Sequence, residues 1–241
     1  MISVNQNASQ LLSSHNEKLI DKLLVSDDFI EQKVNVLLPF GFDADDDLIS
    51  CALEALPHLL ISGTTGSGKT AYIQSMLASL ASLYSSDDLK FLLYDSKGVE
   101  YSDFNGLNNL ILPVIKEHQK AIAALSWLCT ETMNRQKLLI ESGLRNIEEY
   151  NTASKTKLPY IMAVLDDISQ ISMLCGVSKI EDSLQQILSV GRLIGIHVII
   201  STSLPTSKII PSSIKASLPS RLSFRVASKA DSRMALVPCN N

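Results

Sequence analysis

Short apolar runs alternate with helical patterns along the chain from Pro57 onward. The runs show no regular alternation of apolar and polar positions and predict buried strands at His58–Ser62, Leu89–Tyr94, Tyr160–Leu165, His197–Ser201 and Arg221–Val226. Stretches of helical periodicity fall at about 69–84, 116–142, 179–194 and 211–217. Apolar strands separated by helix-length connections are typical of a parallel sheet covered on both faces. Residues 57–241 are therefore predicted to form an α/β core, a mostly parallel sheet with helices on both faces.

The first 56 residues follow a different pattern and predict a small N-terminal arm of helix and strand. Between residues 11 and 32, apolar side chains recur at helical spacings, which predicts an amphipathic helix that either docks elsewhere or packs on the body of the protein. Its apolar members are Leu11, Leu12, Leu19, Ile20, Leu23, Leu24, Phe29 and Ile30. Val34–Phe40 predicts a strand that ends at Pro39 and Gly41.

An acidic run, Asp43 and Asp45–Asp47, follows this strand and predicts a turn. Four carboxylates so close together also suggest a calcium site. The run lacks the ligand order and the closing glutamate of a calcium loop, so the turn is the favoured interpretation.

The composition supports a folded protein and excludes several classes. Of 241 residues, 46% are hydrophobic and 19% are charged, which is enough apolar material for a core and unlike a disordered chain. The formal net charge of −4 excludes a uniformly basic nucleic-acid coat. There is no apolar run of membrane-spanning length and no secretory signal pattern, so we expect a cytoplasmic protein. The four cysteines have neither zinc-ligand spacing nor a disulfide pattern.

The charge is distributed unevenly along the chain. Residues 1–56 carry three lysines against ten acidic side chains, whereas residues 190–241 carry seven lysines and arginines against one aspartate. The C-terminal segment is therefore the part that attracts phosphate.

One glycine-rich segment matches the phosphate-binding loop G-x-x-x-x-G-K-[ST] at every fixed position. It consists of Gly63, Thr64, Thr65, Gly66, Ser67, Gly68, Lys69 and Thr70. Glycines let consecutive backbone N–H groups approach phosphate oxygens, Lys69 adds a charge for the β- and γ-phosphates, and the Thr70 hydroxyl suits Mg²⁺. A predicted strand precedes the loop and a predicted helix follows it, as such a loop requires. The segment predicts ATP and Mg²⁺ binding.

A second acidic element follows the strand Tyr160–Leu165. Asp166 is predicted to hold the magnesium ion, and Asp167 to orient or deprotonate the attacking water. The alternative is that both carboxylates cap the helix after Ile168. Asp95 also ends a strand and is either a supporting residue of the site or the ion-pair partner of Lys97.

These motifs belong to an ordered series of segments that resembles the FtsK/SpoIIIE family of double-stranded DNA translocases. The segments are Pro57–Thr70, Gly143–Asn146, Tyr150–Asn151, Leu158–Tyr160, Asp166–Asp167, Gly195–His197, Pro219–Arg221 and Ser228–Arg233. The resemblance implies a RecA-like motor core that forms a hexameric ring, threads double-stranded DNA and hydrolyses ATP in chromosome segregation and cell division. It also implies that Arg192 and Lys229 act in trans on the nucleotide of a neighbouring subunit; an alternative for Arg192 is to offset the dipole at a helix C-terminus.

The chain departs from the family pattern at the reacting end of the site. Asp167 stands where the family has glutamate, and a carboxylate displaced by about 1 Å can cost on the order of a hundredfold in rate. Ser203 and Leu204 replace the glutamine that senses the γ-phosphate and the arginine after it. The arm is also shorter than in the family, and the core ends early.

The leading interpretation is an ATP-driven motor subunit of a DNA translocase that contacts DNA phosphates independently of sequence. Lys208, Lys215 and Arg225 are its candidate DNA contacts. A nucleotide-binding scaffold with decayed hydrolysis is the first alternative, because of Asp167 and Ser203. A protein-secretion or conjugation ATPase of the same superfamily is the second.

Overall fold

The computed structural model describes residues 14–27 and 35–236. An N-terminal arm contains α1 (Ser14–Leu24), β1 (Leu37–Phe42) and β2 (Leu48–Ala52). The core follows with elements in this order: β3 (His58–Ser62), α2 (Lys69–Leu83), β4 (Leu89–Asp95), α3 (His118–Ser142), α4 (Ile147–Ala153), β5 (Tyr160–Asp166), α5 (Ser169–Cys175), α6 (Ser178–Val190), β6 (Ile196–Thr202), α7 (Ser212–Ala216), β7 (Ser220–Ser223) and α8 (Lys229–Leu236).

Five of the strands form one sheet in the order β4-β5-β6-β3-β7, and every neighbouring pair in it is parallel. Successive residues of each strand point to opposite faces. Leu59 and Ile61 of β3 pack against α2 and the arm, whereas Leu60 faces α3, α6 and α7. Other elements of the protein cover both faces of the sheet, so both faces are apolar. For this reason the sequences of β3, β5 and β6 are almost continuously hydrophobic. The predicted α/β fold with helices on both faces is confirmed.

The arm packs on the body of the protein. Leu19 and Leu23 of α1 are buried against Leu37 and Leu83, so this part of the predicted amphipathic helix follows the packing alternative. Burial of each such leucine contributes roughly 1.5–3 kcal/mol. The outer apolar positions predicted for this helix lie outside the described residues; they are Leu11, Leu12, Phe29 and Ile30.

The strand prediction for the arm was wrong at both ends, since Asn35 and Val36 lie before the strand and Phe40 does not end it. Strand β1 continues through Pro39 and Gly41 to Phe42, because the antiparallel register with β2 shifts between those two residues. Such a bulge lets a two-stranded ribbon accommodate a proline, which cannot donate to the ladder. Strand β2 itself was not predicted.

The acidic run forms the predicted turn between β1 and β2. Asp43 Oδ1 accepts the N–H groups of Asp45 and Asp47, both at 2.9 Å, and Asp46 pairs with Lys18 at 2.5 Å. Across the described ranges, no three His, Cys, Asp or Glu side chains gather into a metal-binding group. The turn interpretation is therefore the one the structure supports.

Two predicted elements end earlier than their patterns suggested, both where the backbone makes a tertiary contact. Helix α6 ends at Val190, and a 3₁₀ turn, Gly191–Ile194, follows it. A Cβ on Gly191 would lie 2.5 Å from the Ile196 carbonyl oxygen, so only glycine fits there. Strand β7 ends at Ser223 rather than Val226 because the next two residues turn onto the phosphate loop.

Two helices of the core, α4 and α8, were also not predicted. The start of α4 could have been predicted from Asn146, a favoured N-cap residue. Its side chain accepts the N–H of Glu149 at 2.9 Å and caps the helix. No helix within the described ranges has both the length and the apolar character needed to cross a membrane.

Candidate nucleotide-binding site

The phosphate loop joins the end of β3 to the start of α2. Gly63 and Gly68 have φ of 154° and 102°, which side chains other than glycine rarely adopt. A Cβ on Gly63 would lie 2.8 Å from both Phe224 Cβ and Ser67 Oγ. The loop therefore needs glycine at this position for two reasons, its backbone conformation and the close approach of Phe224.

The residues after β7 support the loop from outside. Phe224 donates its N–H to the Ser62 carbonyl oxygen at 2.8 Å, and the Arg225 carbonyl oxygen accepts both the N–H and the hydroxyl of Thr64, at 2.9 and 3.1 Å. Thr64 therefore stabilises the conformation of the loop, as Gly63 does.

The phosphate loop presents hydrogen-bond donors that could bind an anion. Among the described residues, the N–H groups of Gly66 and Gly68 have no hydrogen-bond acceptor. Lys69 is buried, and its Nζ donates to the carbonyl oxygens of Gly63 at 2.5 Å and Thr64 at 3.1 Å. Burial lowers the pKa of Lys69, and the nearby Asp166 and Asp167 oppose this shift. An anion at the loop would find unpaired amides and a lysine within reach.

The two acidic residues after β5 lie beside the loop. The Ser201 hydroxyl, on β6, donates to Oδ1 of Asp166, and the Asp167 N–H donates to the Ser201 hydroxyl oxygen at 2.9 Å. Burial raises the pKa of Asp166, and the hydrogen bond from Ser201 opposes this shift. Asp167 has a left-handed φ of 49°, and its Oδ1 is buried without a hydrogen-bond partner in the described part of the chain.

The capping alternative for these carboxylates is wrong. Helix α5 begins at Ser169 with Ile168 as its N-cap, and no side chain caps it. Asp166 and Asp167 instead face a cavity of about 300 Å³ at the carboxyl edge of the sheet. The cavity is lined by Thr65, Gly66, Gly68, Lys69, Thr70, Ala71, Lys97, Glu100, Asp166, Asp167, Ser201 and Ser203.

The cavity brings most of the sequence-predicted nucleotide site together. Five of the phosphate-loop residues, both aspartates and Ser203 line it. Gly63, Thr64 and Ser67 do not line it and shape the loop from behind.

Sequence reasoning did not assign Lys97, Glu100 or Ser201 to the site. Asp95 is fully buried, and its carboxylate accepts the N–H groups of Lys97 at 3.1 Å, Gly98 at 2.9 Å and Tyr101 at 3.1 Å. The Lys97 side chain pairs with Glu100 at 2.6 Å, and this pairing raises the pKa of Lys97. The predicted ion pair between Asp95 and Lys97 is thus replaced by a carboxylate that folds the loop. The sequence feature that could have identified Lys97 and Glu100 is their position within five residues of the carboxyl end of a predicted strand, where ligands bind in open α/β sheets.

Arg192 and Lys229 do not line the cavity. Arg192 is exposed on the 3₁₀ turn after α6, where its Nε donates to the Glu54 carbonyl oxygen of the arm at 2.8 Å. Lys229 is exposed at the first residue of α8. The contact of Arg192 with the arm differs from the dipole alternative, in which it would face the last carbonyls of α6.

The residues of the cavity fit a magnesium ion. Thr70 and Asp166 offer hydroxyl and carboxylate oxygen atoms, which Mg²⁺ prefers. Since the described residues contain no larger cluster of metal-binding side chains, the remaining ligands would come from phosphate and water, as is usual for this ion.

Comparison with known proteins gives consistent matches. The model of the FtsK/SpoIIIE family matches residues 20–236. The DNA translocase FtsK of Clostridium tetani is 38% identical over 222 residues, which are 90% of this chain and 30% of that protein. FtsK of Campylobacter jejuni is 36% identical over 89% of this chain and 23% of that protein. The chain thus spans 30% and 23% of the length of these two relatives.

Solved structures share the fold. The pCW3 conjugation coupling protein TcpA, in a monomer form with ATPγS, aligns with a TM-score of 0.72 at 28% identity, over 88% of this chain and 60% of that one. The type VII secretion ATPase EccC of Thermomonospora curvata aligns with a TM-score of 0.73 at 22% identity, over 84% of this chain and 25% of that one. These likenesses show that the core is an α/β RecA-like fold of P-loop ATPases.

Proposed function

The chain belongs to the FtsK/SpoIIIE family, and from this we propose that it is the ATP-hydrolysing motor subunit of a double-stranded DNA translocase. The observation that carries the proposal is the convergence of the phosphate loop, Asp166 and Asp167 on one cavity. In chromosome segregation and cell division, such a subunit would move DNA independently of its sequence.

Each part of the site has a task in this proposal. The N–H groups of Gly66 and Gly68 bind phosphate oxygens, and Lys69 exchanges its contacts with loop carbonyls for the β- and γ-phosphates. Thr70 and Asp166 would hold Mg²⁺, which would neutralise charge on the phosphates. Asp167, the sequence-predicted residue for the attacking water, and Ser203, the candidate γ-phosphate contact, line the same cavity and would act from its wall.

Arg192 and Lys229 are proposed to act on the nucleotide of a neighbouring subunit in a hexameric ring. Both are exposed, and neither reaches the cavity of its own chain. A cation near the γ-phosphate stabilises the charge that develops during phosphoryl transfer. The exposed positions support a role in trans.

The proposed DNA contacts are Lys208 and Arg225, which are both exposed. Lys215 is removed from the candidates, because it is buried and its Nζ donates to the Pro205 carbonyl oxygen at 2.6 Å. Contacts to phosphates make binding strongly dependent on salt. A motor that consumes ATP and moves chromosomal DNA would work in the cytoplasm.

Steady-state ATPase activity tests this function, measured with and without long duplex DNA at low and moderate salt. We expect hydrolysis that DNA stimulates, that salt weakens, and that the Lys69→Ala variant lacks. Lys179→Ala is the matched control, because Lys179 is also a helical lysine but lies outside the cavity. Absence of turnover under every condition would contradict the motor.

A nucleotide-dependent scaffold is the second candidate, and the replacement of the expected glutamate and glutamine by Asp167 and Ser203 is what favours it. It predicts tight ATP binding without turnover and an ATP-dependent change in sedimentation. A conjugation or secretion ATPase is the third, and it predicts turnover that duplex DNA alone does not stimulate.

A further inference from the structure

The nucleotide cavity contains a third carboxylate, Glu100, besides Asp166 and Asp167. It belongs to the loop after β4, and its side chain is 28% exposed, so that water reaches it. Glu100 Oε1 lies 2.6 Å from Lys97 Nζ, and Lys97 also lines the cavity. A charged pair therefore lines the cavity that the phosphates would occupy.

Side chains of Asp95 and Gln74 hold the backbone around Glu100 in place. The buried carboxylate of Asp95 accepts three backbone N–H groups and folds the loop between β4 and Tyr101. The side chain of Gln74, on α2, donates to the Glu100 carbonyl oxygen at 2.5 Å. Because α2 begins at Lys69, the same helix that carries the phosphate loop also fixes Glu100. Such preorganisation is what a catalytic group needs, since a misplacement of about 1 Å costs on the order of a hundredfold in rate.

The neighbouring Asp167 is less well suited to activate water. Asp167 lines the same cavity, but its Oδ1 is buried without a partner in the described part of the chain, and its side chain is one methylene shorter than the glutamate that the resemblance led us to expect. A general base needs to reach a water molecule in the active site and to be held in position. Glu100 meets both requirements.

We propose that Glu100, in place of the sequence-predicted Asp167, orients and deprotonates the attacking water and that Lys97 is its positioning residue. The inference rests on the proposed ATPase function. The water oxygen attacks the γ-phosphorus, and the bond from phosphorus to the β,γ-bridging oxygen breaks, so that ADP leaves with the electron pair. Glu100 takes a proton from the water and returns it to solvent, which restores the carboxylate, and the products are ADP and inorganic phosphate.

The test compares Glu100→Gln with Asp167→Asn in the full chain, using ATP and duplex DNA. Glutamine keeps the size of the side chain and removes its charge. We expect kcat to fall by about 100-fold or more in Glu100→Gln, while the KM for ATP and ATP binding change by less than about threefold. Asp167→Asn should lose less activity. The acid limb of the pH profile of kcat should disappear from the residual activity of Glu100→Gln, which a purely structural role would not cause.

Control and supporting variants make the result specific. Glu117→Gln is the matched control, since Glu117 forms an equivalent pair with Lys120, also at 2.6 Å and three residues apart, in an exposed position outside the nucleotide cavity. Lys97→Met should lower kcat by about tenfold, and Glu100→Asp should recover part of the activity lost in Glu100→Gln. If Glu100→Gln does not fold, as judged by its thermal melt, these two variants decide.

The outcomes separate this inference from the function it rests on. Turnover within a factor of about two of wild type in Glu100→Gln, or a loss confined to Asp167→Asn, would overturn the role of Glu100 and leave the motor intact. A wild-type chain that never turns over ATP would overturn the proposed function, and the role of Glu100 with it.

Discussion

Ser201 holds Asp166 from the neighbouring strand. Its hydroxyl donates to the Asp166 carboxylate across the β5–β6 pair and accepts the N–H of Asp167 at 2.9 Å. One side chain thus fixes the carboxylate that would hold Mg²⁺ and the left-handed backbone of the residue after it. Ser201 sits at the carboxyl edge of the sheet, where ligands bind in open α/β folds.

The Ser201→Ala variant should therefore lose activity while it remains folded. Removal of a group that orients a metal ligand typically costs 10- to 100-fold in metal affinity or activity, and we expect a loss of about that size in ATPase kcat/KM. Ser79→Ala is the control, because Ser79 is equally buried and its hydroxyl donates to the Ser75 carbonyl oxygen of its own helix, away from the site. A Mg²⁺ titration of ATPase activity measures the effect. An unchanged magnesium requirement would contradict the role of Ser201.

Gly63→Ala should weaken ATP binding. The added Cβ would lie 2.8 Å from Phe224 and Ser67, and the backbone φ of 154° disfavours alanine, so the loop must move. We expect ATP affinity to fall by at least about tenfold, in line with a loss of 1.4 kcal/mol or more. Gly106→Ala imposes a similar backbone cost at φ of 95° but has no neighbour within 4 Å. Isothermal titration with ATPγS should show normal binding for this control, and normal binding by Gly63→Ala would refute the prediction.

Much of the fold could be predicted because the strands are buried on both faces. His58–Ser62 was predicted with its observed bounds, and β5 extends only one residue past its predicted end. A continuous apolar run that is followed by a glycine-rich loop restricts where the strand can begin and end. The end of strand β7 was predicted three residues too late. The backbone of Phe224 and Arg225 leaves the strand because it hydrogen-bonds to Ser62 and Thr64, a tertiary contact that the local sequence does not indicate.

The site was predictable where a local motif carries it and not where tertiary contacts do. The phosphate loop and Asp166 are contiguous with a strand, so the sequence alone locates them. Lys97 and Glu100 resemble a solvated surface pair until the folding of their loop by Asp95 is known. Lys215 resembled a DNA contact because its segment is basic, yet its charged end donates to a carbonyl within the protein.

The stability of the protein should fall with acid because of buried His197. Its Nδ1 donates to the carbonyl oxygens of Leu56 and Pro57, at 3.0 and 3.1 Å, and its Nε2 is buried without a partner among the described residues. Burial lowers the pKa of His197 from 6.5 to about 4. The unfolded chain therefore binds a proton below pH 6.5 that the folded chain refuses until about pH 4, and stability is lost as the pH falls through this window.

His197→Asn removes this dependence, because asparagine can keep the donor to the carbonyl oxygens and does not titrate. Between pH 7 and pH 5, wild type should lose about 2 kcal/mol of unfolding free energy more than the variant. Urea unfolding at both pH values measures the difference. Between pH 7 and pH 8 the two proteins should run in parallel, since His197 is neutral in both states. Parallel curves down to pH 5 would contradict the assigned neutral state.

The last prediction concerns the sites of action of Arg192 and Lys69. Arg192→Ala and Lys69→Ala should each be inactive alone as ATPases. If Arg192 acts in trans, a mixture of the two contains interfaces at which one subunit supplies an intact phosphate loop and its neighbour supplies an intact Arg192. In a random equal mixture about a quarter of interfaces qualify, so up to about a quarter of wild-type activity should return.

A role for Arg192 in its own cavity predicts no recovery at any ratio. In the structure Arg192 Nε donates to the Glu54 carbonyl oxygen and does not reach the phosphate loop, which favours recovery. The control mixture combines Lys69→Ala with Asp166→Ala, whose lesions fall in the same cavity. This mixture should stay inactive, because no subunit in it has an intact site. Activity in the first mixture and none in the second would place the catalytic centre at a subunit interface, so that each subunit hydrolyses ATP only when a neighbour completes its site.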